Sequence, residues 1–300
     1  MQNLLEELAR VLPPERLLTH EPMAKHTTFH LGGPADVFAL PMTPEEAVFA
    51  VRAAQALNAP CLVLGNGSNM IVRDGGIRGL VVSMQEMNQV AVEGDVLTAQ
   101  AGALLSKVAA QALAAGLSGL EFACGIPGTA GGAATMNAGA YGFDMASVTT
   151  CARVWMDGQD QWLCREELGY GYRRSTMLKK GGVVLEARYK LTPDDPGLIR
   201  ARMNDYNASR REKQPLALPS AGSVFKRPEG HFAGALIEQA GLKGHTIGGA
   251  QVSTLHAGFI VNVGGATAQD VLALIQHIQT EVLARFHVQL ECEVRILGEE

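Results

Sequence analysis

Two glycine-rich stretches are the first candidates for chemistry: "GNGSN" at 65–69 and "GIPGTAGGA" at 125–133. What they offer is backbone. Glycine serves where the chain must take positive φ or come within touching distance of a ligand, and successive free N–H groups form concave nests for anions. Lying about 60 residues apart, the two loops could together present many N–H donors to a pyrophosphate. Neither is a GxGxxG leading into a helix, and no GK[ST] follows to complete a P-loop, so neither a Rossmann site nor a P-loop is supported. The stretch from Glu121 to Phe143 has no charge after Glu121 until Asp144. It reaches the roughly 20 residues a spanning helix needs. However, Gly125, Gly128, Gly131, Gly132, Gly139 and Gly142 weaken a helix and Pro127 would break one. Asn137 would need a partner in lipid, and a plain core segment would use more than one large aliphatic residue. A ligand-cradling loop fits better.

A second set of residues carries charge or a proton. Arg173, in "GYRRS" (171–175), can fork two N–H groups onto a carboxylate, with Arg174 beside it as the ordinary surface arginine. Ser223, in "SAGSVFKRP" (220–228), follows Pro219 and Gly222 and by itself reads as a turn serine, with Lys226 and Arg227 close behind. Glu293, in "ECEVRILG" (291–298), by itself reads as solvent-exposed; Arg295, two residues on, would share its strand face. The eight His residues form no HExxH pair, and the five cysteines (Cys61, Cys124, Cys151, Cys164, Cys292) have no CxxC spacing. No metal site is expected, and the odd cysteine number reads as reduced thiols.

These groups need elements to hold them. "MQNLLEELARVLPPER" places Leu4, Leu5, Leu8, Val11 and Leu12 at helical spacing, an amphipathic helix rather than a signal peptide. A strand (35–41), a helix capped by Thr43 (43–59), a short buried strand running into the first glycine loop (61–69), another strand (79–84) and a hairpin (89–101) follow. A helix closed by Gly116 (103–116) leads into the second glycine loop, which is read as a loop throughout. Then come a hairpin turning at Asp157-Gly158 (148–164), a strand (182–193) and a linker, "PDDPG" (193–197). Helices at 198–213, 231–240 and 267–286 and a last strand at 288–297 complete an α+β protein. The net charge of −5, with basic residues scattered, excludes a nucleic-acid binder relying on a basic face. A cytoplasmic protein without membrane partners is expected, as a monomer or weak oligomer.

The motifs "LGNGSNMIVRDGG" (64–76) and "GIPGTAGGAATMNAGAYG" (125–142) resemble the flavin-binding domain of the vanillyl-alcohol-oxidase (PCMH) type. With "HTTFHLGGPADV" (26–37), "GYRRS", "SAGSVFKRP" and "ECEVRILG" in the same order, nearly the whole chain resembles the UDP-N-acetylenolpyruvoylglucosamine reductases of bacterial cell-wall synthesis. The resemblance implies a two-subdomain FAD-binding fold (1–78 and 79–196), a substrate-binding α+β domain (197–287) and a C-terminal strand (288–300) returning to the active site. It implies non-covalent FAD, since Asn66, Ser68 and Asn69 stand where covalent relatives often carry a His. Cofactor contacts are expected from Gly65, Asn66, Gly67, Ser68, Asn69, Gly125, Gly128, Thr129, Gly131, Gly132, Ala133 and Asn137. NADPH would be co-substrate and a nucleotide sugar the acceptor. Arg173 would hold the substrate carboxylate as charge grows on it, Glu293 would sit at the same carboxylate, and Ser223 would donate the proton. Tyr172, Lys226, Arg227, His256 and Asn262 are candidates for the rest of the substrate. No insertion carrying a substrate-clamping Tyr lies between Arg173 and Ser223, which places the chain with the shorter class. The rival readings are another FAD-dependent oxidase or dehydrogenase of the same fold, and a non-catalytic nucleotide-binding module.

Overall fold

The computed structural model describes all residues 1–300. The chain forms two compact units, neither continuous in sequence. The first comprises residues 1–18, 38–66 and 80–210, and the second 19–37, 67–79 and 211–300. The two units interleave along the chain. The reason is local pairing. The strand Met70–Val72 runs parallel to Arg295–Leu297, and the Gly33 N–H donates to the Arg73 carbonyl at 3.0 Å. Phe29, Leu31 and Ile71 are buried with the apolar residues of the C-terminal third.

In the first unit, helix α1 (Gln2–Leu8) buries Leu4 and Leu8. Helix α2 (Pro44–Ala56) starts where the sequence puts it, with Pro44 in its first turn and Thr43 Oγ1 accepting from the Glu46 N–H at 3.2 Å. A five-stranded antiparallel sheet has the order Gln159–Cys164, Thr149–Met156, Val183–Lys190, Val96–Gln100, Val90–Glu93. Asp157 and Gly158 both take positive φ (53° and 78°) at the tip of its first hairpin, as the two-residue turn requires. Helix α3 (Leu105–Ala114) and helix α4 (Ala130–Met136) pack into the core of this unit through Leu105, Val108, Ala109, Ala130, Ala133 and Ala134. Helix α5 (Thr176–Lys180) is a short turn capped by Ser175, and helix α6 (Pro196–Lys213) is the unit's longest.

Three sequence expectations change here. The second glycine loop is not a loop throughout, because α4 occupies its second half. "PDDPG" is not a linker: Thr192–Pro193 pairs with Leu117–Ser118, and Asp195 Oδ1 accepts from the Leu198 N–H at 3.0 Å, so these residues open α6. The cysteines are not all reduced thiols. Cys151 and Cys164 face each other across the first hairpin, 4.0 Å apart at Cα, and are joined as a disulfide, while Cys61, Cys124 and Cys292 are free. The register of an antiparallel pair made this juxtaposition, which sequence spacing alone does not signal.

The second unit contains α7 (Ala233–Gln239), α8 (Ala268–Phe286) and a three-stranded sheet ordered Thr246–Ile247, Ala250–Val252, Ile260–Asn262. Thr267 and Asp270 form a reciprocal cap at the start of α8, and Asp74 accepts from the Ala268 and Gln269 N–H groups at 3.0 and 3.1 Å. The buried stripe Val271, Leu274, Ile275, Ile278, Val282 follows helical spacing and faces the core. No helix is long and apolar enough to cross a membrane, which disposes of that reading of the uncharged stretch.

Candidate active site

In the first unit the two glycine loops touch. Asn66 Nδ2 donates to the Pro127 carbonyl at 2.6 Å. A Cβ on Gly65 would stand 2.5 Å from Thr129 Oγ1, so Gly65 is bare because the other loop lies against it. Thr129 is buried and caps α4, its Oγ1 accepting from the Gly132 N–H at 3.4 Å. Gly128 gives its carbonyl to the Leu105 N–H at 3.0 Å. Gly131, named among the expected cofactor contacts, packs against Ala101. A Cβ there would stand 2.7 Å from that of Ala101, and its N–H already donates to the Ala101 carbonyl at 2.8 Å. Ala133 is likewise buried in the core. Gly132, by contrast, is exposed and meets only Thr129 Oγ1, at 3.5 Å.

Helix α6 covers the start of the second loop. A Cβ on Gly125 would meet Asn207 Oδ1 at 2.9 Å and Arg210 Cδ at 3.0 Å. Arg210 Nε is buried with no acceptor. Burial pulls the pKa of this guanidinium down, with Tyr141 and Cys124 acting in the opposite sense; arginine nevertheless stays charged. A fixed cation with an unsatisfied buried donor, beside a loop that pairs with a second glycine loop, suits an anionic group such as the pyrophosphate of FAD. Sequence reasoning missed Asn207 and Arg210. Their i, i+3 spacing on one helix was the available signal.

In the second unit, Gly67 (φ 60°) closes against the "HTT" segment, where a Cβ would stand 2.1 Å from the His26 carbonyl oxygen. Ser68 is half-buried, and Asn69 gives its carbonyl to the Arg295 N–H at 3.1 Å.

The arginine motif is a tight turn. The Gly171 N–H donates to the Arg174 carbonyl at 3.0 Å and the Arg174 N–H returns to the Gly171 carbonyl at 3.1 Å, with Tyr172 and Arg173 between. Arg173 is half-buried with φ of 51°, its guanidinium 5.1 Å from the centre of the exposed Tyr172 ring. Arg174 is exposed and lies alongside Gly171. Asn137, expected to contact the cofactor, is buried with its amide committed elsewhere. Nδ2 donates to Asp144 Oδ2 (3.0 Å) and the Gly171 carbonyl (3.1 Å), and Oδ1 accepts from the Ala146 N–H (2.9 Å). No donor remains for a ligand.

In the second unit, Ser223 and Glu293 lie on neighbouring extended segments. The Glu293 N–H donates to the Val224 carbonyl at 2.7 Å, Phe225 pairs with Cys292, and Ser223 pairs with Phe259 on its other side. Val224 and Phe225 anchor the segment in the core, and Ser223 is exposed. Lys226 and Arg227 are exposed too, Lys226 within 3.1 Å of Glu291 and Arg227 over the Phe232 ring at 4.0 Å. Two weaker substrate candidates make bonds within the second unit. His256 Nδ1 accepts from the Gly258 N–H at 3.1 Å, and burial depresses the imidazole pKa. Asn262 Oδ1 accepts from Gly264 and Ala266, while its Nδ2 donates to the Phe29 carbonyl.

The chain is similar to known proteins over its whole length. Residues 35–157 match the FAD binding domain family, and residues 214–297 match the family of UDP-N-acetylenolpyruvoylglucosamine reductase C-terminal domains. A UDP-N-acetylenolpyruvoylglucosamine reductase of Clostridium botulinum (strain Hall) is 49% identical over 300 residues, covering 100% of this chain and 98% of the relative. The enzyme of that name from Exiguobacterium sibiricum is 50% identical over 300 residues, covering 100% and 99%. Among solved structures, UDP-N-acetylenolpyruvylglucosamine reductase from Thermus caldophilus superposes with a TM-score of 0.80 at 38% identity, covering 93% of this chain and 97% of that one.

Proposed function

The chain belongs to the UDP-N-acetylenolpyruvoylglucosamine reductase family, and on that premise we propose that Arg173, Ser223 and Glu293 carry out its reaction. The substrate is the enolpyruvyl ether of UDP-N-acetylglucosamine, and the product is the corresponding lactyl ether, UDP-N-acetylmuramate, a peptidoglycan precursor. The chain has an FAD binding domain, and FAD when bound would supply the hydride chemistry, between NADPH as donor and C3 of the enolpyruvyl group as acceptor. The protein's own tasks are to hold the anions, to stabilise charge and to supply a proton.

Arg210 and the backbone of Gly65 and Asn66, with the open face at Gly132, would hold the cofactor. When hydride reaches C3, negative charge grows at C2 and spreads into the adjacent carboxylate. The Arg173 guanidinium would set two N–H groups on that carboxylate, an interaction that strengthens as the charge grows. Glu293 would meet the same carboxylate from its own segment. The Ser223 hydroxyl would give its proton to C2. Serine is a poor acid, but a carbanion is a strong base, which relaxes the acidity the donor needs. Lys226 and Arg227, on the same segment, supply cations for the substrate diphosphate. A cytoplasmic location suits an enzyme drawing on NADPH and a nucleotide sugar.

The observation that carries this reading is the 2.7 Å bond from the Glu293 N–H to the Val224 carbonyl, which sets the serine and glutamate segments side by side although they are distant in sequence. Anaerobic stopped-flow on Ser223→Ala tests it. Flavin reduction by NADPH should proceed nearly as in the parent, while reoxidation by the enolpyruvyl substrate should slow by roughly 10²- to 10⁴-fold, the worth of a positioned general acid. Ser220→Ala is the control, since Ser220 is held through its carbonyl by Thr28 Oγ1 at 2.7 Å. Equal slowing of both half-reactions would refute the proton-donor role.

A further inference from the structure

Helix α4 begins at the second glycine loop and ends at the arginine turn. Its cap residue Thr129 is buried against Gly65 of the first loop. At its other end two side-chain bonds reach the segment that carries Arg173. Ser175 Oγ donates to the Thr135 carbonyl at 2.6 Å, and Asn137 Nδ2 donates to the Gly171 carbonyl at 3.1 Å. The five-residue segment "GYRRS" is thus tied at its first and last residues to one end of one short helix. A seven-residue helix rises about 10 Å at 1.5 Å per residue, so α4 is a rigid spacer of fixed length.

Asn137 is built for this task. It caps α4 in the left-handed region (φ 45°, ψ 58°), a conformation asparagine tolerates better than most residues. Its amide cannot turn over, since that would swing the carbonyl oxygen onto the Asp144 carboxylate and the Gly171 carbonyl and aim the NH₂ group at the Ala146 N–H. The Gly171 carbonyl uses both lone pairs, accepting from Asn137 Nδ2 and from the Arg174 N–H. Two residues on, Arg173 holds a φ of 51°, which an L-residue keeps only where its surroundings over-determine it.

We infer that Asn137 is a positioning residue that acts through the Gly171 carbonyl to hold the Arg173 turn at a set distance from the glycine loop. The inference rests on the carboxylate-binding role proposed for Arg173. The Asn137 amide is committed to Asp144, Gly171 and Ala146, and its effect must therefore pass through Arg173.

Asn137→Gly is the test, because glycine keeps the left-handed cap and removes only the amide. The purified holoenzyme should retain its FAD and its visible absorption spectrum, and NADPH should reduce the flavin within about twofold of the parent rate. Reoxidation by the enolpyruvyl substrate should slow by roughly 10- to 100-fold, with weaker substrate binding. In an Arg173→Lys background the same change should add little, because residues acting through one another are non-additive. Should Asn137→Gly be too unstable to purify, Ser175→Ala cuts the other tie to α4 and should show the same half-reaction split and the same dependence on Arg173. Unaltered reoxidation, an equal loss in both backgrounds, or loss of FAD would each overturn the inference. If Arg173→Lys alone leaves reoxidation intact, the proposed role of Arg173 fails and takes this inference with it. If Arg173→Lys slows reoxidation and Asn137→Gly does not, only the inference fails.

Discussion

Arg173 pays for its place in backbone strain. Its φ of 51° is left-handed, where an L-residue is disfavoured by roughly 1–2 kcal/mol. Glycine would remove the strain and the guanidinium together. Arg174, next to it, is exposed and lies along Gly171, with no comparable constraint. The two arginines should therefore respond differently to the same change. Arg173→Lys keeps the charge but loses the planar fork, and should lower substrate-dependent turnover by roughly 10²- to 10³-fold, the usual worth of one positioned charge-stabilising group. Arg174→Lys should stay within about twofold of the parent. Steady-state kinetics on both variants checks this, and the reverse pattern would mean that the functional arginine is the second of the pair. The motif singled out Arg173 in the sequence as a candidate, but its left-handed backbone was not legible, since nothing in "GYRRS" announces a turn with arginine at that corner. Arg210 was illegible for another reason. Beside Arg211 on a polar helix it reads as surface, and only the packing of α6 on Gly125 reveals its buried, unsatisfied Nε.

At the scale of elements, α4 is the piece that propensity misjudges. Two glycines in a seven-residue helix argue against it by about 1 kcal/mol each relative to alanine. Tertiary packing overrides that. Gly131 lets the helix lie against Ala101, Thr129 caps it, and Ala130, Ala133 and Ala134 are buried beneath it. The neighbouring glycines consequently make opposite predictions. A methyl on Gly131 would sit 2.7 Å from the Ala101 side chain, so Gly131→Ala should destabilise the apoprotein by about 1–3 kcal/mol through overpacking. A methyl on Gly132 meets only Thr129 Oγ1, at 3.5 Å, so Gly132→Ala should leave the apoprotein as stable or slightly more so. If the open face at Gly132 receives FAD, that same variant should lower flavin occupancy. Thermal melts of apoprotein, paired with the flavin-to-protein absorbance ratio, separate the effects. A Gly132→Ala protein with full flavin would remove Gly132 from the cofactor site. The hairpins, α2 and α8 were legible because their caps and turn residues are local signals, whereas α4 depends on a residue nearly thirty positions earlier in the chain.

The whole molecule is two units threaded by one chain that crosses between them several times. Linear reading expects each domain to occupy one stretch, so the membership of residues 19–37 and 67–79 in the second unit was invisible, and so was the strand Met70–Val72. Each unit also carries charge–structure couplings that tie its stability to pH. In the second unit, burial depresses the pKa of His256, whose neutral Nδ1 accepts from the Gly258 N–H; Lys243 nearby acts in the same direction and Glu238 in the opposite one. A folded pKa below the ordinary 6.5 means that this contribution is complete above 6.5 and is lost as pH falls through the folded value. The carboxylates form a second set. Arg16 and the Met42 N–H hold Glu46 below the usual range, and the Thr267 and Gly249 N–H groups do the same for Asp270. For Glu121, burial pushes the carboxyl up, but the backbone, including the Gly119 N–H, together with Arg202 and Ser118, outweighs it. These contributions are present above the ordinary carboxylate range near 4.5 and disappear as pH falls below it. The melting temperature should therefore be nearly level above about pH 6.5, decline gently from there to about 4.5 and fall steeply beyond. His256→Gln should flatten the gentle part alone, and Glu121→Gln should reduce the steep part. Differential scanning calorimetry of the parent and both variants from pH 8 to about pH 3 reads these slopes directly, and a parent curve that is level from 6.5 to 5 would show that His256 charges without penalty in the folded protein.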